Sequence, residues 1–204
     1  MKTAAALAAV LLAAGSPVVA APAHKAPAKP AAAARVVLPT AVAPERYEIR
    51  VTPDAQKLTF TGQEKIAVVV KRPTDRIVLN AADLTFGNVG LSGRTDTPKI
   101  VLDDAQQTAA FVFAKPLTPG SYVLSIDYAG KIFTQASGLF ALDYDGAKSK
   151  QRALFTQFEN SDARRFAPMW DEPGVKSVFA LTVEASADQM AISNMPVATT
   201  TALP

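Results

Sequence analysis

A period of two constrains the fold of this chain more than any other feature. Apolar residues take every second position in Tyr47-Glu48-Ile49-Arg50-Val51, in Ile66-Ala67-Val68-Val69-Val70 and in Tyr122-Val123-Leu124-Ser125-Ile126-Asp127-Tyr128. Shorter matches run from Ile77 to Leu79, Ile100 to Leu102, Phe111 to Phe113, Phe140 to Tyr144 and Phe179 to Val183. Successive side chains of a strand point to opposite faces, so this period with β-branched and aromatic residues predicts half-buried strands. Turn chemistry separates them: Thr52-Pro53-Asp54, Arg72-Pro73-Thr74-Asp75, Asp103-Asp104, Lys115 to Gly120 and Tyr144-Asp145-Gly146. Roughly ten short strands at this spacing predict an all-β fold, an antiparallel sheet assembly that is sandwich-like or a curved open sheet. Helix is expected only as a single turn near Ser161 to Phe166, with Ser161 as N-cap, Asp162 in the first turn and Pro168 as its stop.

The first 36 residues stand outside that pattern. Residues 1–20 have the form of a secretory signal peptide: Lys2 at the positive end, Ala4 to Ala14 apolar, Val18-Val19-Ala20 as a small-residue exit. The apolar run is too short to span a bilayer. Residues 21–36, rich in Ala, Pro and Lys, read as a semi-extended linker. Removing Lys2, Lys25, Lys29 and Arg35 from 21 basic residues leaves 17 against 18 acidic ones, a charge of −1 instead of +3. No basic block interleaved with aromatics remains, so nucleic-acid binding has no support. The chain has no cysteine, which excludes a disulfide framework, a thiol nucleophile and a thiolate metal site. Its one histidine, His24, lies in the linker, so the foldable part has no imidazole for a metal.

One segment breaks the alternation. Leu154 to Pro173 holds the only Trp, two Arg (Arg164 and Arg165) and four acidic residues (Glu159, Asp162, Asp171 and Glu172). Breaks in a plain pattern are where function or special geometry sits. Gln157 and Glu159, two apart on an expected strand, would share a face, where an amide oxygen and a carboxylate can hold a cationic group. On spacing alone a solvated strand face is the better reading. Asp162, Arg164 and Arg165 read first as a local ion-pair cluster that fixes a loop. Trp170-Asp171-Glu172-Pro173 reads as a buried anchor with acids capping turn amides. A glycosidase-type acid pair in Asp171 and Glu172 is disfavoured, because neighbouring residues seldom flank one sugar bond.

Thr156-Gln157-Phe158-Glu159, followed by Asp162-Ala163-Arg164 and Trp170-Asp171-Glu172-Pro173, resembles the N-terminal β-domain of the aminopeptidase N family of zinc metallopeptidases. Further pieces follow in order: Leu38-Pro39, Pro44, Tyr47, Phe60-Thr61-Gly62-Gln63, Ile77-Val78-Leu79-Asn80, Tyr128-Ala129-Gly130, Gly138-Leu139-Phe140, Phe179-Ala180-Leu181-Thr182 and Ser193-Asn194-Met195-Pro196. Met169 departs from the family, which often carries a Cys there. The resemblance covers Leu38 to Pro204 and implies a saddle-shaped all-β domain over residues 37–204. It also implies that Gln157 and Glu159 meet the N-terminal residue of a peptide substrate. Such a charge-assisted hydrogen bond contributes about 1.5–3 kcal/mol.

The family's H-E-x-x-H helix with its downstream Glu, and its Gly-x-Met-Glu-Asn strand, are absent from these 204 residues. No catalytic residue and no metal ligand is therefore assigned here. The expectation is an exported, periplasmic or extracellular aminopeptidase whose zinc belongs to a C-terminal catalytic domain, with this chain inactive alone and its sheet incomplete on the C-terminal side. The competing expectation is a stand-alone, non-catalytic binding or scaffold module of the same fold. A sugar-binding sandwich lacks an aromatic platform, since Trp170 is solitary.

Overall fold

The computed structural model describes residues 37–203. The expected signal peptide and linker, residues 1–36, lie outside the described residues. Ten strands carry the fold: β1 (Val42–Asp54), β2 (Thr59–Val70), β3 (Thr74–Asn80), β4 (Leu84–Leu91), β5 (Lys99–Asp103), β6 (Thr108–Leu117), β7 (Gly120–Lys131), β8 (Gly138–Asp145), β9 (Lys150–Gln157) and β10 (Val178–Val183). They form a five-stranded sheet in the order β10-β1-β2-β7-β4, a three-stranded sheet β3-β6-β5 and the hairpin β8-β9. The all-β expectation holds. Pairing is antiparallel throughout except between β10 and β1, which run parallel from Arg46↔Val178 to Val51↔Val183. No helix among the described residues is long and apolar enough to cross a membrane.

The predicted alternation is clearest in β2. Phe60, Gly62, Glu64, Ile66, Val68 and Val70 are buried, while Thr59, Thr61, Gln63 and Lys65 between them are exposed. Inward residues of β1 (Tyr47, Ile49, Val51), β7 (Leu124, Ile126, Tyr128) and β4 (Val89, Leu91) extend this apolar face. The same buried cluster takes in Ile77 and Leu79 of β3 and Ala109, Phe111 and Phe113 of β6, so one core serves both larger sheets. Two cross-strand pairs set aromatic rings on glycines. Tyr128 lies opposite Gly62 and Phe60 opposite Gly130. A Cβ on Gly62 would stand 2.2 Å from the Tyr128 ring, and one on Gly130 2.4 Å from the Phe60 ring. The rings occupy the space the glycines leave free, which packs a strand position that has no side chain of its own.

Several expected boundaries shift. Thr52-Pro53-Asp54 is the end of β1 and no turn; Pro53 is tolerated because β10 stops opposite Val51, leaving one side of β1 without a ladder. Lys115-Pro116-Leu117 likewise closes β6. Strand β4 escapes the period-two reading because Gly87 and Asn88 sit in a register shift between Phe86 and Val89. The helical turn is a 3-10 turn over Ala163–Arg165, and its N-cap position is Asp162, with no side-chain cap bond. Ser161 is not the cap: its hydroxyl is spent on Asn160 Oδ1 at 3.0 Å.

Candidate functional site

The hairpin β8-β9 delivers the predicted residues. Gln157 is the last residue of β9, opposite Gly138. The strand expected to carry Gln157 and Glu159 together ends there, so Glu159 stands two residues beyond the last paired position. The chain turns at this point because Asp162 N–H donates to the Phe158 carbonyl at 3.0 Å and leads into the 3-10 turn. The Glu159–Asn160 peptide is cis. Phe158 directs its ring onto Phe166, 5.3 Å between centroids, and Phe166 in turn lies 5.9 Å from Phe60 in the core. Gln157 and Glu159, on either side of this anchor, are both exposed.

The remaining acids of the segment are engaged. Arg164 Nε donates to Asp171 Oδ2 at 2.9 Å, with the two side chains 13% and 14% exposed, and Arg164 Nη1 reaches Gln107 Oε1 at 3.3 Å. Arg165 Nε donates to Asp162 Oδ1 at 2.9 Å. Glu172 Oε1 accepts the Leu38 amide at 2.8 Å, tying this loop to the start of the described chain. Trp170 is buried, and its backbone N–H donates to the Tyr47 hydroxyl at 3.2 Å. Burial pushes that phenol well above its ordinary range. Asn80 exchanges backbone bonds with Met169 at 2.8 and 3.0 Å, and its Oδ1 accepts the Asp171 amide at 3.1 Å. The architectural readings of Trp170 and of the two arginines therefore hold, with one change. The cluster divides, Arg164 going downstream to Asp171 while Arg165 goes back to Asp162.

By contrast, neither Gln157 nor Glu159 makes a side-chain hydrogen bond to another described residue. Of the four acids in this segment, Glu159 is the one without a protein partner among the described residues. Two adjoining shallow grooves share Arg50, Gln63 and Asp127 on the outward face of the five-stranded sheet, and neither includes Gln157 or Glu159. Their polar groups are largely occupied with one another, Arg50 with Glu184 and Gln63 with Asp127. The chemistry of the free carboxylate is the better guide to a site than the shape of these grooves.

A buried carboxyl was not anticipated from the sequence. Glu64 is 2% exposed, between Ile49 of β1 and Ile126 of β7, and neither of its oxygens has a hydrogen-bond partner among the described residues. Burial pushes its carboxyl well above the usual range. The parity of β2 was the available signal, since Glu64 shares the inward register of Ile66 and Val68. Among the described residues no group of three or more His, Asp or Glu side chains stands close enough together to hold a metal ion. The zinc that the resemblance implies was expected in a catalytic domain, and no step through that metal is assigned to these residues.

Comparison with known proteins identifies the family of this fold. The peptidase M1 N-terminal domain family matches residues 43–204. An aminopeptidase N of Acetobacter pasteurianus is 39% identical over 165 residues, 80% of this chain and 46% of that protein. Aminopeptidase M1-C of Oryza sativa subsp. japonica is 38% identical over 162 residues, 79% of this chain and 18% of that protein. Endoplasmic reticulum aminopeptidase 1 of Mus musculus is 31% identical over 167 residues, 78% and 18% of the two chains. The chain thus spans less than half the length of the curated relatives it matches. Matched over residues 43–204, this ten-stranded chain belongs to the peptidase M1 N-terminal domain family.

Proposed function

We propose that this chain is the substrate-anchoring N-terminal domain of an exported zinc aminopeptidase, residues 1–20 being its leader, 21–36 a linker and 37–204 the domain. The observation that carries the reading is the solitary state of Glu159. Its three acidic neighbours are held by Arg164, Arg165 and the Leu38 amide, whereas Glu159 and Gln157 stand exposed and unengaged among the described residues. A carboxylate with an amide two residues before it offers the acceptors that a peptide's terminal ammonium, with three donors, requires.

Magnitudes indicate what else is needed. An ion pair left in water is worth about 0–1 kcal/mol, too little to position a substrate. The same contact, desolvated and hydrogen-bonded, reaches about 1.5–3 kcal/mol. Glu159 can therefore serve as an anchor only where another surface covers it, and the length of the relatives leaves room for one. That surface would supply the zinc ligands, the general base and the second amine contact, and this chain alone would be inactive.

The test joins the domain to the remainder that its relatives' length implies and replaces Glu159 by Ala. KM for a dipeptide surrogate with a free amine should rise about 10- to 100-fold, the range that corresponds to the anchoring energy. Unchanged kinetics would remove Glu159 from the site.

A further inference from the structure

We infer that Arg165 is the positioning residue that sets where the Glu159 carboxylate stands. The inference rests on the anchoring role proposed for Glu159, and it concerns a residue that touches neither substrate nor metal. Arg165 is the point at which three separate parts of the chain converge. Its Nε holds Asp162 Oδ1 at 2.9 Å, and its backbone N–H donates to the Asp162 carbonyl at 3.1 Å. Its Nη1 pairs with Asp83 in the connection between β3 and β4. Its guanidinium lies over the Phe133 ring, 5.9 Å from the centroid.

The start of β8 is shaped to admit this side chain. Gly138, opposite Gln157, has φ +60, and a Cβ placed on it would stand 3.0 Å from Arg165 Cβ. A side chain there would meet Arg165 in a backbone conformation that L residues seldom adopt. Asp162, gripped at its carboxylate by Arg165, also donates its amide to the Phe158 carbonyl, which closes the turn that contains Glu159. The route from Arg165 to Glu159 is therefore one side-chain bond and one backbone bond. The turn is held from its other end as well, where the Arg164 carbonyl accepts the Ala82 amide at 3.0 Å, next to Asp83.

The adjacent arginine makes the division of labour visible. Arg164 holds Asp171 and Gln107, downstream of the turn, and makes no side-chain bond to residues 157–162 among the described residues. Arg165 acts upstream. Its guanidinium fork can satisfy two carboxylates at fixed angles, which an ammonium cannot reproduce. A displacement of about 1 Å at a substrate-positioning group can cost about 100-fold in rate, so rigidity in this turn bears on function.

Three variants test the assignment: Arg165→Met, Arg165→Lys, and Asp83→Asn, which weakens the grip on Arg165 from a different element should Arg165→Met fail to fold. In this chain, amide exchange at Asp162 should accelerate about tenfold in Arg165→Met and less in the other two, while amides of the β2–β7 ladder keep their protection. In the protein joined to its catalytic remainder, Arg165→Met should raise KM for a free-amine dipeptide surrogate about tenfold with kcat changed far less, and Arg165→Lys should recover only part of it. Glu159→Ala is assayed alongside. If Glu159→Ala raises KM and the Arg165 and Asp83 variants do not, the anchor stands and the positioning role is refuted. If Glu159→Ala is silent, the positioning role falls together with the anchor. Uniform acceleration of exchange across the β2–β7 ladder would reduce Arg165 to general stability and overturn the inference.

Discussion

Replacing Glu64 by Met should stabilise this domain, and the gain should grow with pH. Glu64 sits on the inward face of β2, 2% exposed, with apolar Ile49 and Ile126 beside it on the adjoining strands. Burial is the cause of its shift, and the phenols of Tyr47 and Tyr128, which carry no positive charge, are the groups that feel its charge. The Tyr128 hydroxyl is itself without a partner among the described residues. Burial therefore raises the Glu64 pKa well above its ordinary 4.5, favouring the neutral acid in the folded protein. A group raised in this way contributes stability that is fully present below pH 4.5 and is lost as pH rises towards the folded-state value. In that window the unfolded chain has ionised and the folded chain must take up a proton, at a little over 1 kcal/mol per pH unit. Met has no proton to exchange and a similar volume. From pH 5 to pH 7 the advantage of Glu64→Met should widen, with a ceiling of about 1.4 kcal/mol for each pH unit in which the unfolded chain alone has ionised. The acids held low by arginine forks, Asp75 by Arg76, Asp96 by Arg94 and Asp143 by Arg152, stay ionised across this range and cancel between the two proteins. Thermal and urea melts of both proteins at pH 5, 6 and 7 measure the effect. A gap that does not widen from pH 5 to pH 7 would refute the reasoning, because it would mean that Glu64 does not titrate with folding.

Other expectations follow from the packing. Gly130→Ala would drive a methyl into the Phe60 ring and, at 2.9 Å, into Leu84; it should cost about 1–3 kcal/mol by urea titration, and an unchanged midpoint would mean that the ring moves freely. Asp171→Ala leaves Arg164 nearly buried with only Gln107 and the residue-171 carbonyl as partners and should cost about 2–4 kcal/mol by calorimetry, near the lower end for buried pairs because each partner keeps some exposure. Strand β10 is an edge whose Val178, Phe179, Leu181 and Val183 are 57%, 56%, 46% and 39% exposed. Residues 36–204 alone should therefore self-associate, and Leu181→Lys should shift the sedimentation profile towards monomer; a monomeric parent would contradict this.

The fold was largely legible because its strands obey a period of two, and it became illegible where chemistry and parity disagree. In β2 the alternation continues inward through Gly62 and Glu64, a missing side chain and a charge, so the apolar signal starts only at Ile66. Strand β4 is hidden for a related reason, as Gly87 and Asn88 interrupt it at a register shift. Pro53 and Pro116 read as turns because proline cannot donate to a ladder, but both lie within strand ends where that loss is tolerated. The parallel pairing of β10 with β1 depends on how the chain returns from residues 158–177, which no local pattern encodes. At the site, residue types pointed to Gln157 and Glu159, and the resemblance gave them a role. Their solitude could not be read from sequence, because it depends on where the neighbouring acids find partners. Asp162 and Arg165 are three apart and visible as a pair, yet the second partner of Arg165, Asp83, lies 82 positions away.

Under the anchoring role proposed for Glu159, this distribution of partners would let one segment be rigid and still take a ligand. A carboxylate bound to an arginine has already exchanged its water for a fixed donor and has little left to offer a ligand. If every acid between Leu154 and Pro173 were free, mutual repulsion and loop entropy would blur the position of each. If all were paired, none could take an ammonium. Here three acids are committed to structure, by Arg164, by Arg165 and by the Leu38 amide, and these bonds together with the Phe158–Phe166–Phe60 stack immobilise the backbone that carries the fourth. The entropy of ordering the segment is met by contacts that are already made before a ligand arrives. Once another surface covers Glu159, an ammonium binding there would have only its own desolvation and that of one carboxylate to offset, the condition under which a single charge-assisted contact can reach the upper part of its range.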